Sequence, residues 1–446
     1  MSRTPGKLAT RRVLLAAVAS GMALALGACG SAGKGTAAGG ASAAAAQSWA
    51  PFKAVAGDSV PTAKVKFGMR PYADNTFYVI GIKKGWFKDV GIELDPPDGI
   101  STTEDQWTNL LLHGSTDINT DTCAILVTTY SSSRQLKCIQ HGVSFFGQVM
   151  FANPKLGLKS VEEYQAAGED FKTALKDALT PLTKGDDVYV QPGTGEITFT
   201  QQPFKYAGLG LPNFKPVSDS DMFTQAQAGK INFLHPGGAP IAVELLKLGW
   251  KPIYSTKTLV EGAKTDANSP FTGLVVNNGI AATGDYAASH QDTILRFTSV
   301  MYRIAAATGK DPSLFDLQAP YLNSVAGTNL TGKEIADEFA KMHPLVTFDA
   351  AGKAYYDDPA SSQYYKTIGD AVIRDQVKAG AIPKDLQASD FIWADKIYAD
   401  LAGYKKGYED VVAKGGGDAA LMAKAKDFYD WFDYLDAYRF ALKAQG

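Results

Sequence analysis

Two patterns in the sequence predict an α/β fold with a largely parallel sheet and a helical C-terminal region. Short strand-like runs alternate with helix-like segments between residues 64 and 276, as is typical of parallel strands joined by crossover helices. From about residue 283 this alternation gives way to long stretches with apolar side chains at helical spacing. Those stretches predict helices over 283–308, 332–342, 361–379, 388–404 and 418–443.

The first α/β segment begins with a strand-like run over 64–69. Residues 75–86 are predicted as a helix, and 91–94 as a second strand. Ser101 and Glu104 then form a capping-box pair ahead of another apolar helix. Because ligands of parallel sheets bind beyond the carboxyl ends of the strands, the loops after these strands are the candidate binding loops.

A second α/β segment begins with a strand over 188–190, a glycine-containing turn and a helix over 196–206. Further strand-like runs follow at 231–234 and 252–254. Residues 271–276 are predicted as a strand that returns to the first segment. The chain is therefore expected to form two α/β lobes that are connected more than once.

Length and composition exclude several classes of protein. The chain has 446 residues, 44 Lys plus Arg and 46 Asp plus Glu, so its formal net charge of −2 is not that of a nucleic-acid-binding protein. Hydrophobic residues make up 45% and charged residues 20%, which excludes disordered and collagen-like chains. This length predicts two or three domains.

The N-terminus predicts export. Residues 1–12 carry four basic and no acidic side chains, and 13–26 is an apolar run too short to span a bilayer comfortably. It ends in Leu26-Gly27-Ala28-Cys29, which resembles the bacterial lipobox. The resemblance implies that 1–28 is a lipoprotein signal peptide and that Cys29 becomes an acylated N-terminus, for example carrying palmitate. An ordinary signal peptide with a chance cysteine is the alternative, and Sec and twin-arginine export both stay open.

Residues 29–60, which start rich in Gly, Ala and Ser, are predicted to be a flexible tether. No later stretch reaches the roughly 18 apolar residues of a spanning helix, so we expect a lipid anchor on the extracytoplasmic face of the cell membrane. Cys123 and Cys138 are compatible with one disulfide or with two buried thiols. Their spacing is not a zinc pattern, and no metal or other cofactor is expected.

Three stretches resemble the periplasmic substrate-binding components of ABC importers, specifically the sulfonate, nitrate and thiamine-precursor group. They are 66–94, with Gly85-Trp86-Phe87 and Gly91-Ile92-Glu93-Leu94; 110–118; and 221–234, with Ala226, Gly229 and Lys230. The chain departs from that group in a helix-like insertion over 161–179, in His235-Pro236-Gly237-Gly238 where a Trp-x-Pro is common, and in a longer helical C-terminus.

The resemblance implies a two-lobed type II periplasmic-binding-protein fold with a helical C-terminal extension. Lobe 1 would comprise 61–150 and 271–284, lobe 2 would comprise 151–270, and 285–446 would pack on lobe 1. It also implies a monomer that captures a small organic nitrogen- or sulfur-containing molecule between its lobes and delivers it to a permease and its ATPase. No nucleic-acid partner is expected.

The candidate ligand-binding residues lie in the loops after the predicted strands, where donors, acceptors and aromatic rings are concentrated. They are Arg70, Tyr72, Asp74, Asn75, Thr102, Asp121, Thr122, Phe146, Gln148, Thr194, Glu196 and His235. Tyr72 and Phe146 could form aromatic walls for a flat ligand or could be packed core rings. The threonines suit helix caps equally well, and Arg70 could instead pair with Asp74.

The charges of these loops favour a ligand with amino or heteroaromatic nitrogen donors over a simple oxyanion, because Arg70 is the only strong cation beside Asp74, Asp121 and Glu196. Acidic residues at helix N-termini also merely complement the helix dipole, so the oxyanion alternative stays open. Motifs for phosphate cradles, nucleophile elbows and metal pairs are missing, and we expect no catalysis. An anchored enzyme of the thiamine-pyrimidine-synthase branch and a ligand-sensing envelope lipoprotein are the alternative functions.

Overall fold

The computed structural model describes residues 48–102, 106–123, 125–128, 134–191, 194–264, 266 and 269–446. The predicted signal peptide, the acylated Cys29 and most of the predicted tether lie outside this part of the chain. Within it, we find no helix with the length and apolar character needed to cross a bilayer.

Two five-stranded sheets form the framework of the fold. The strands are β1 (Ala63–Val65), β2 (Phe67–Met69), β3 (Ile92–Leu94), β4 (Ile100–Ser101), β5 (Ile118–Thr122), β6 (Leu136–Phe145), β7 (Val149–Ala152), β8 (Asp187–Val190), β9 (Asn213–Pro216), β10 (Phe233–His235), β11 (Lys251–Ser255) and β12 (Val276–Thr283). The first sheet has the order β4-β2-β5-β12-β6, the second has the order β11-β7-β10-β8-β9, and β1 pairs separately with β3.

Helices surround both sheets. The α-helices are Ala73–Thr76, Tyr78–Lys84, Trp86–Asp89, Trp107–Leu112, Ile125–Thr128, Val161–Ala166, Phe171–Leu179, Thr194–Tyr206, Asp219–Gln227, Ala239–Lys247, Thr256–Gly262, Gly284–Ser289, Gln291–Lys310, Ala319–Ala326, Gly332–Met342, Phe348–Ala351, Tyr365–Lys378, Ala394–Lys414, Ala419–Asp430 and Tyr434–Ala444. The predicted α/β body and helical C-terminal region are therefore confirmed.

Each sheet presents the carboxyl ends of its parallel strands at one edge. In the first sheet, β2 is parallel to both β4 and β5, whereas β12 is antiparallel to β5. In the second sheet, β8 is parallel to β9 and to β10. The ends of β2, β5, β8 and β10 are consequently the places where this fold can position binding groups.

The second sheet is apolar on both faces. Val149 and Phe151 of β7 pack in one core, and Met150 and Ala152 of the same strand pack in another. This alternation follows from the two-residue period of a strand. The inserted helix Phe171–Leu179 covers the face that carries Met150 and Ala152.

The helical C-terminal region shares one core with the first sheet. Phe297, on the central helix Gln291–Lys310, packs edge-on against Phe67 of β2 with 4.9 Å between ring centroids. The region also contacts the second lobe, because Lys247 Nζ lies 2.7 Å from Glu334 Oε1 on the helix Gly332–Met342. It therefore contacts the first sheet and also a helix that flanks the second sheet.

The segment after residue 47 is bound to the C-terminal helices. Trp49 is buried and its Nε1 donates to Asp400 Oδ2 (2.9 Å), while the backbone N–H of Phe52 donates to the same oxygen (3.1 Å). Gly57 N–H donates to the Arg439 carbonyl (3.2 Å). The predicted tether is thus wrong for residues 48–57, since these indole and backbone groups have partners on the folded body.

Other element boundaries also differ from prediction, and two of them have a clear local cause. The strand expected over 271–276 is β12, which begins only at Val276 and runs through two asparagines to Thr283. The helix expected over 418–443 is divided, because Phe432 adopts a left-handed φ of 67° and Asp433 accepts a hydrogen bond from Asp436 N–H (3.3 Å) to start a new helix. Apolar periodicity alone reveals neither the shifted strand boundary nor the division of the helix.

Candidate functional site

Five polar side chains form a closed hydrogen-bonded ring at the carboxyl edge of the first sheet. Arg70 follows β2, and its Nε donates to Asn75 Oδ1 (3.2 Å) while its Nη2 donates to Thr122 Oγ1 (2.8 Å). Asn75 Nδ2 donates to Asp74 Oδ1 (2.9 Å). Thr122 Oγ1 donates to Asn278 Oδ1 (2.6 Å), and Asn278 Nδ2 donates to the second oxygen of Asp74.

The topology explains why these five residues meet. Arg70 follows β2, Thr122 ends the parallel strand β5, and Asn278 lies opposite Thr122 at the start of the antiparallel β12. Asp74 and Asn75 belong to the short helix Ala73–Thr76 that follows Arg70. All five side chains are buried, so the ring is shielded from solvent and its members hold each other in place.

Aromatic rings flank the guanidinium of Arg70. Its Cζ lies 5.8 Å from the ring centroid of Tyr72 and 5.9 Å from that of Trp107, within the range of cation–π attraction. Trp107 is buried, whereas Tyr72 is half-buried. The Tyr72 ring is therefore partly open to a ligand at this edge.

A buried acid and imidazole from the C-terminal region lie next to this ring. His343 Nε2 lies 3.2 Å from Glu338 Oε1, and both side chains are inaccessible to solvent. Burial raises the pKa of Glu338. Burial alone would lower the pKa of His343, but its hydrogen bond to Glu338 and the charges of Glu338 and Asp74 raise it above the usual value. The imidazole and the carboxyl group of Glu338 are thus in direct contact and shielded from solvent.

The second lobe contributes a carboxylate that occupies a helix N-terminus. Asp219 Oδ1 accepts the N–H of Gly237 (3.0 Å), and its Oδ2 accepts the N–H of Gly238 (3.0 Å). Both glycines directly precede the helix Ala239–Lys247. Burial raises the pKa of Asp219 to about 6, while the two N–H groups oppose that rise.

The two lobes meet where Tyr72 approaches this turn. A Cβ placed on Gly238 would lie 3.3 Å from Tyr72 Cδ1 and 3.3 Å from Asp219 Oδ2. Tyr72 belongs to the loop after β2, and Gly238 belongs to the loop after β10. We call the region bounded by the five-residue ring, Tyr72 and Asp219 the inter-lobe site.

His235 ends β10 and is completely buried. Its Nδ1 lies 3.3 Å from Thr200 Oγ1, and its ring packs on Phe199 with 4.5 Å between centroids. Burial lowers its pKa to about 3, so the imidazole is neutral at physiological pH. The structure places His235 within the core of the second lobe, behind the glycine turn.

Replacing His235 with glutamine is expected to make the protein less sensitive to acid. The folded pKa of about 3 lies below the ordinary value of 6.5, so His235 destabilises the fold as the pH falls below 6.5. At pH 5 this loss is about 2 kcal/mol. Between pH 8 and pH 5, the free energy of unfolding of His235→Gln should therefore fall by about 2 kcal/mol less than that of wild type, as measured by urea unfolding. The exposed His113→Gln should behave like wild type, and equal pH dependence in all three proteins would contradict this assignment.

The remaining predicted residues occupy three different settings. Thr102 and Asp121 are buried beside the ring, after β4 and within β5. Glu196 is half-buried in the first turn of the helix Thr194–Tyr206, and the side chain of Thr194 lies outside the described residues.

Phe146 and Gln148 lie in the connection between β6 and β7, where the chain passes from the first sheet to the second. Phe146 N–H donates to the Met342 carbonyl (2.8 Å), and the Gln148 carbonyl accepts the N–H of Thr256 (3.0 Å). This connection is therefore attached to the C-terminal region on one side and to the second lobe on the other.

Sequence reasoning missed Asn278, Asp219, Glu338 and His343 as site residues. Two consecutive asparagines directly after the predicted strand 271–276 were the available signal for Asn278, because buried strand positions rarely carry amides without a partner. Asp219 resembles an ordinary first-turn acid. Nothing local marks Glu338 or His343, which come from the C-terminal region.

Cys123 and Cys138 are joined by a disulfide with an S–S distance of 2.01 Å. His141 lies close to both sulfurs, and burial lowers its pKa to about 3. Because the thiols are consumed in the disulfide, this trio does not offer the thiolates that a metal site requires. A surface cavity of about 240 Å³ lined by Ile82, Phe87 and Leu94 also lies apart from the inter-lobe site.

Comparison with known proteins identifies the fold. No family model matches the chain, and no curated protein is similar enough in sequence to count as a relative. Solved structures are similar: the periplasmic nitrate-binding protein from Synechocystis PCC 6803 has a TM-score of 0.52 and 13% identity, covering 77% of this chain and 89% of that chain. The periplasmic aliphatic sulphonate binding protein from Escherichia coli has a TM-score of 0.50 and 14% identity, covering 77% of this chain and 100% of that chain.

The chain therefore has the two-lobed type II periplasmic-binding-protein fold with a helical C-terminal region. The resemblance noted in the sequence is confirmed at the level of the fold.

Proposed function

We propose that the chain is an extracytoplasmic solute-binding lipoprotein of an ABC importer. One small organic molecule would bind in the inter-lobe site and be delivered to the permease and ATPase. Lobe 1 would comprise 61–150 and 271–284, and lobe 2 would comprise 151–270. Ligand binding would favour the closed arrangement of the lobes by a hinge motion.

The inter-lobe site is the observation that carries this proposal. A preorganised ring of five buried side chains lies at the strand ends of the first lobe. Tyr72 lies between this ring and the second lobe, which contributes the turn at Gly237 and Gly238 and the carboxylate of Asp219. Binding groups at the carboxyl ends of parallel strands are what this kind of fold uses to hold ligands. The two solved relatives are named as binding proteins for small solutes, which supports the same role here.

Binding without catalysis is part of the proposal. His235 is a buried neutral imidazole, and His343 is buried against Glu338, so neither is placed as a general base facing a ligand. The groups that border Tyr72 are donors and acceptors suited to recognition.

Native mass spectrometry of protein purified from its own host tests the proposal. We expect one retained small molecule per chain, released by denaturation, and a monomeric protein. A chain that carries no small molecule and binds none of the solutes in a host extract would contradict it.

The lipid anchor can be tested separately. Cys29→Ser should release the protein from the membrane fraction, because acylation requires the cysteine thiol. Ser31→Ala, two residues further on, should leave it membrane-bound. If Cys29→Ser stays in the membrane fraction, acylation at Cys29 is contradicted.

A further inference from the structure

We infer that Asp219 is the specificity-determining residue of the inter-lobe site and that the solute carries a cationic amine or amidine group on a flat body. This inference rests on the proposed function. It commits to the charge of the ligand, which neither the fold nor the similar structures decide.

The first argument is that Asp219 already occupies the helix N-terminus beside Tyr72, where an anionic ligand could otherwise bind. The N–H groups of Gly237 and Gly238, at the start of the helix Ala239–Lys247, both donate to its carboxylate at 3.0 Å. Such N–H groups, together with the helix dipole, are what ordinarily binds an oxyanion. A sulfonate or nitrate would have to displace Asp219 or lie against its negative charge.

The second argument is that Asp219 can still accept donors. A carboxylate offers about four lone-pair positions, and the two glycine N–H groups use two of them. Its side chain is neither fully buried nor fully exposed, so part of it can meet a solute. An amidinium or ammonium group is the natural partner, since hydrogen bonds between two charged groups are roughly twice as strong as neutral ones.

The third argument is the shape of the neighbouring surface. Tyr72 Cδ1 and Asp219 Oδ2 approach the same point beside Gly238, each at 3.3 Å from a Cβ placed there. A ligand that reaches the carboxylate therefore contacts the face or edge of the tyrosine ring. Aromatic rings favour flat bodies and cations, and both preferences agree with the proposed ligand class.

The five-residue ring on the first lobe does not reverse this preference for a cationic ligand. Arg70 is the cation of the ring, but its guanidinium already donates to Asn75 and Thr122 and lies within a ring that contains Asp74. Glu338 places a further acid close to Asp74, with His343 as its partner. Among the described residues of the inter-lobe site, each cation thus already has partners within the protein.

Calorimetric titration with benzamidine and benzoate tests the inference, because the two probes share a flat ring and differ in the sign of their charge. Wild type should bind benzamidine and prefer it to benzoate by at least about a hundredfold. Asp219→Asn should weaken benzamidine binding by at least about tenfold and reduce the preference, since it removes the charge with little change of shape.

Asp221→Asn is the matched control. Asp221 is an exposed acid on the same helix, bonded to Ser218 (2.9 Å), so its loss removes an equal charge away from the glycine turn. It should leave both affinities unchanged. Thermal unfolding of all three proteins verifies that each is folded.

Equal or tighter benzoate binding by wild type, or benzamidine binding that Asp219→Asn does not weaken, would overturn the inference. If neither probe binds but native mass spectrometry shows a retained solute, the inference fails and the proposed function stands. If no solute is retained either, both fail.

Discussion

Replacing Arg70 with methionine is expected to abolish solute binding and to lower the free energy of unfolding by about 3 kcal/mol. The change leaves Asn75 Oδ1 and Thr122 Oγ1 without the donors that they have in the buried ring. A buried acceptor that loses its partner costs about 1–3 kcal/mol. Methionine retains much of the apolar volume, so loss of packing contributes little. Urea unfolding and calorimetric titration with the native solute measure the two effects.

Two further variants make the Arg70 result specific. Arg374→Met removes a guanidinium from an exposed helix position and should change neither stability nor binding. Arg70→Lys keeps the charge but cannot supply the two directed hydrogen bonds of the guanidinium, so it should restore only part of the stability. Full solute affinity in Arg70→Met would show that the ring is not part of the binding site.

Removing the Cys123–Cys138 disulfide is expected to destabilise the protein by about 3 kcal/mol. The bridge joins residues 15 apart in sequence, and closing a loop of this length restricts the unfolded chain by about that amount. Cys123 directly follows Thr122, so the bridge also fixes the end of β5 that carries part of the ring. The measurement is urea unfolding of Cys123→Ala/Cys138→Ala against wild type.

Reductant provides the internal control for the disulfide. Dithiothreitol should lower the stability of wild type towards that of the double variant and should leave the double variant unchanged. If the double variant is less stable than oxidised wild type by under about 1 kcal/mol, the bridge does not restrain the unfolded chain as the loop-closure argument requires.

Local rules suffice to place four residues of the candidate site at one edge of the first sheet. Arg70, Asp74, Asn75 and Thr122 were predicted because polar residues directly after strands of a parallel sheet lie at its binding edge, and the structure joins all four in one ring. The strand–helix alternation likewise suffices for the fold class, because each element has its own periodicity.

The rest of the site depends on pairing between distant segments. Asn278 reaches the ring only through its register opposite Thr122, and a one-residue shift would turn its side chain to the other face. Glu338 and His343 reach it through the packing of a C-terminal helix. Asp219 is indistinguishable from a helix-capping acid until the turn at Gly237 and Gly238 is seen to bind it.

A crystal structure of the protein purified with its retained solute is the most direct measurement of the central claim. We expect density for one small molecule between Arg70 and Asp219, in contact with the ring of Tyr72. Density for the solute in any other part of the molecule, such as the surface cavity beside Phe87, would contradict the assignment of the inter-lobe site.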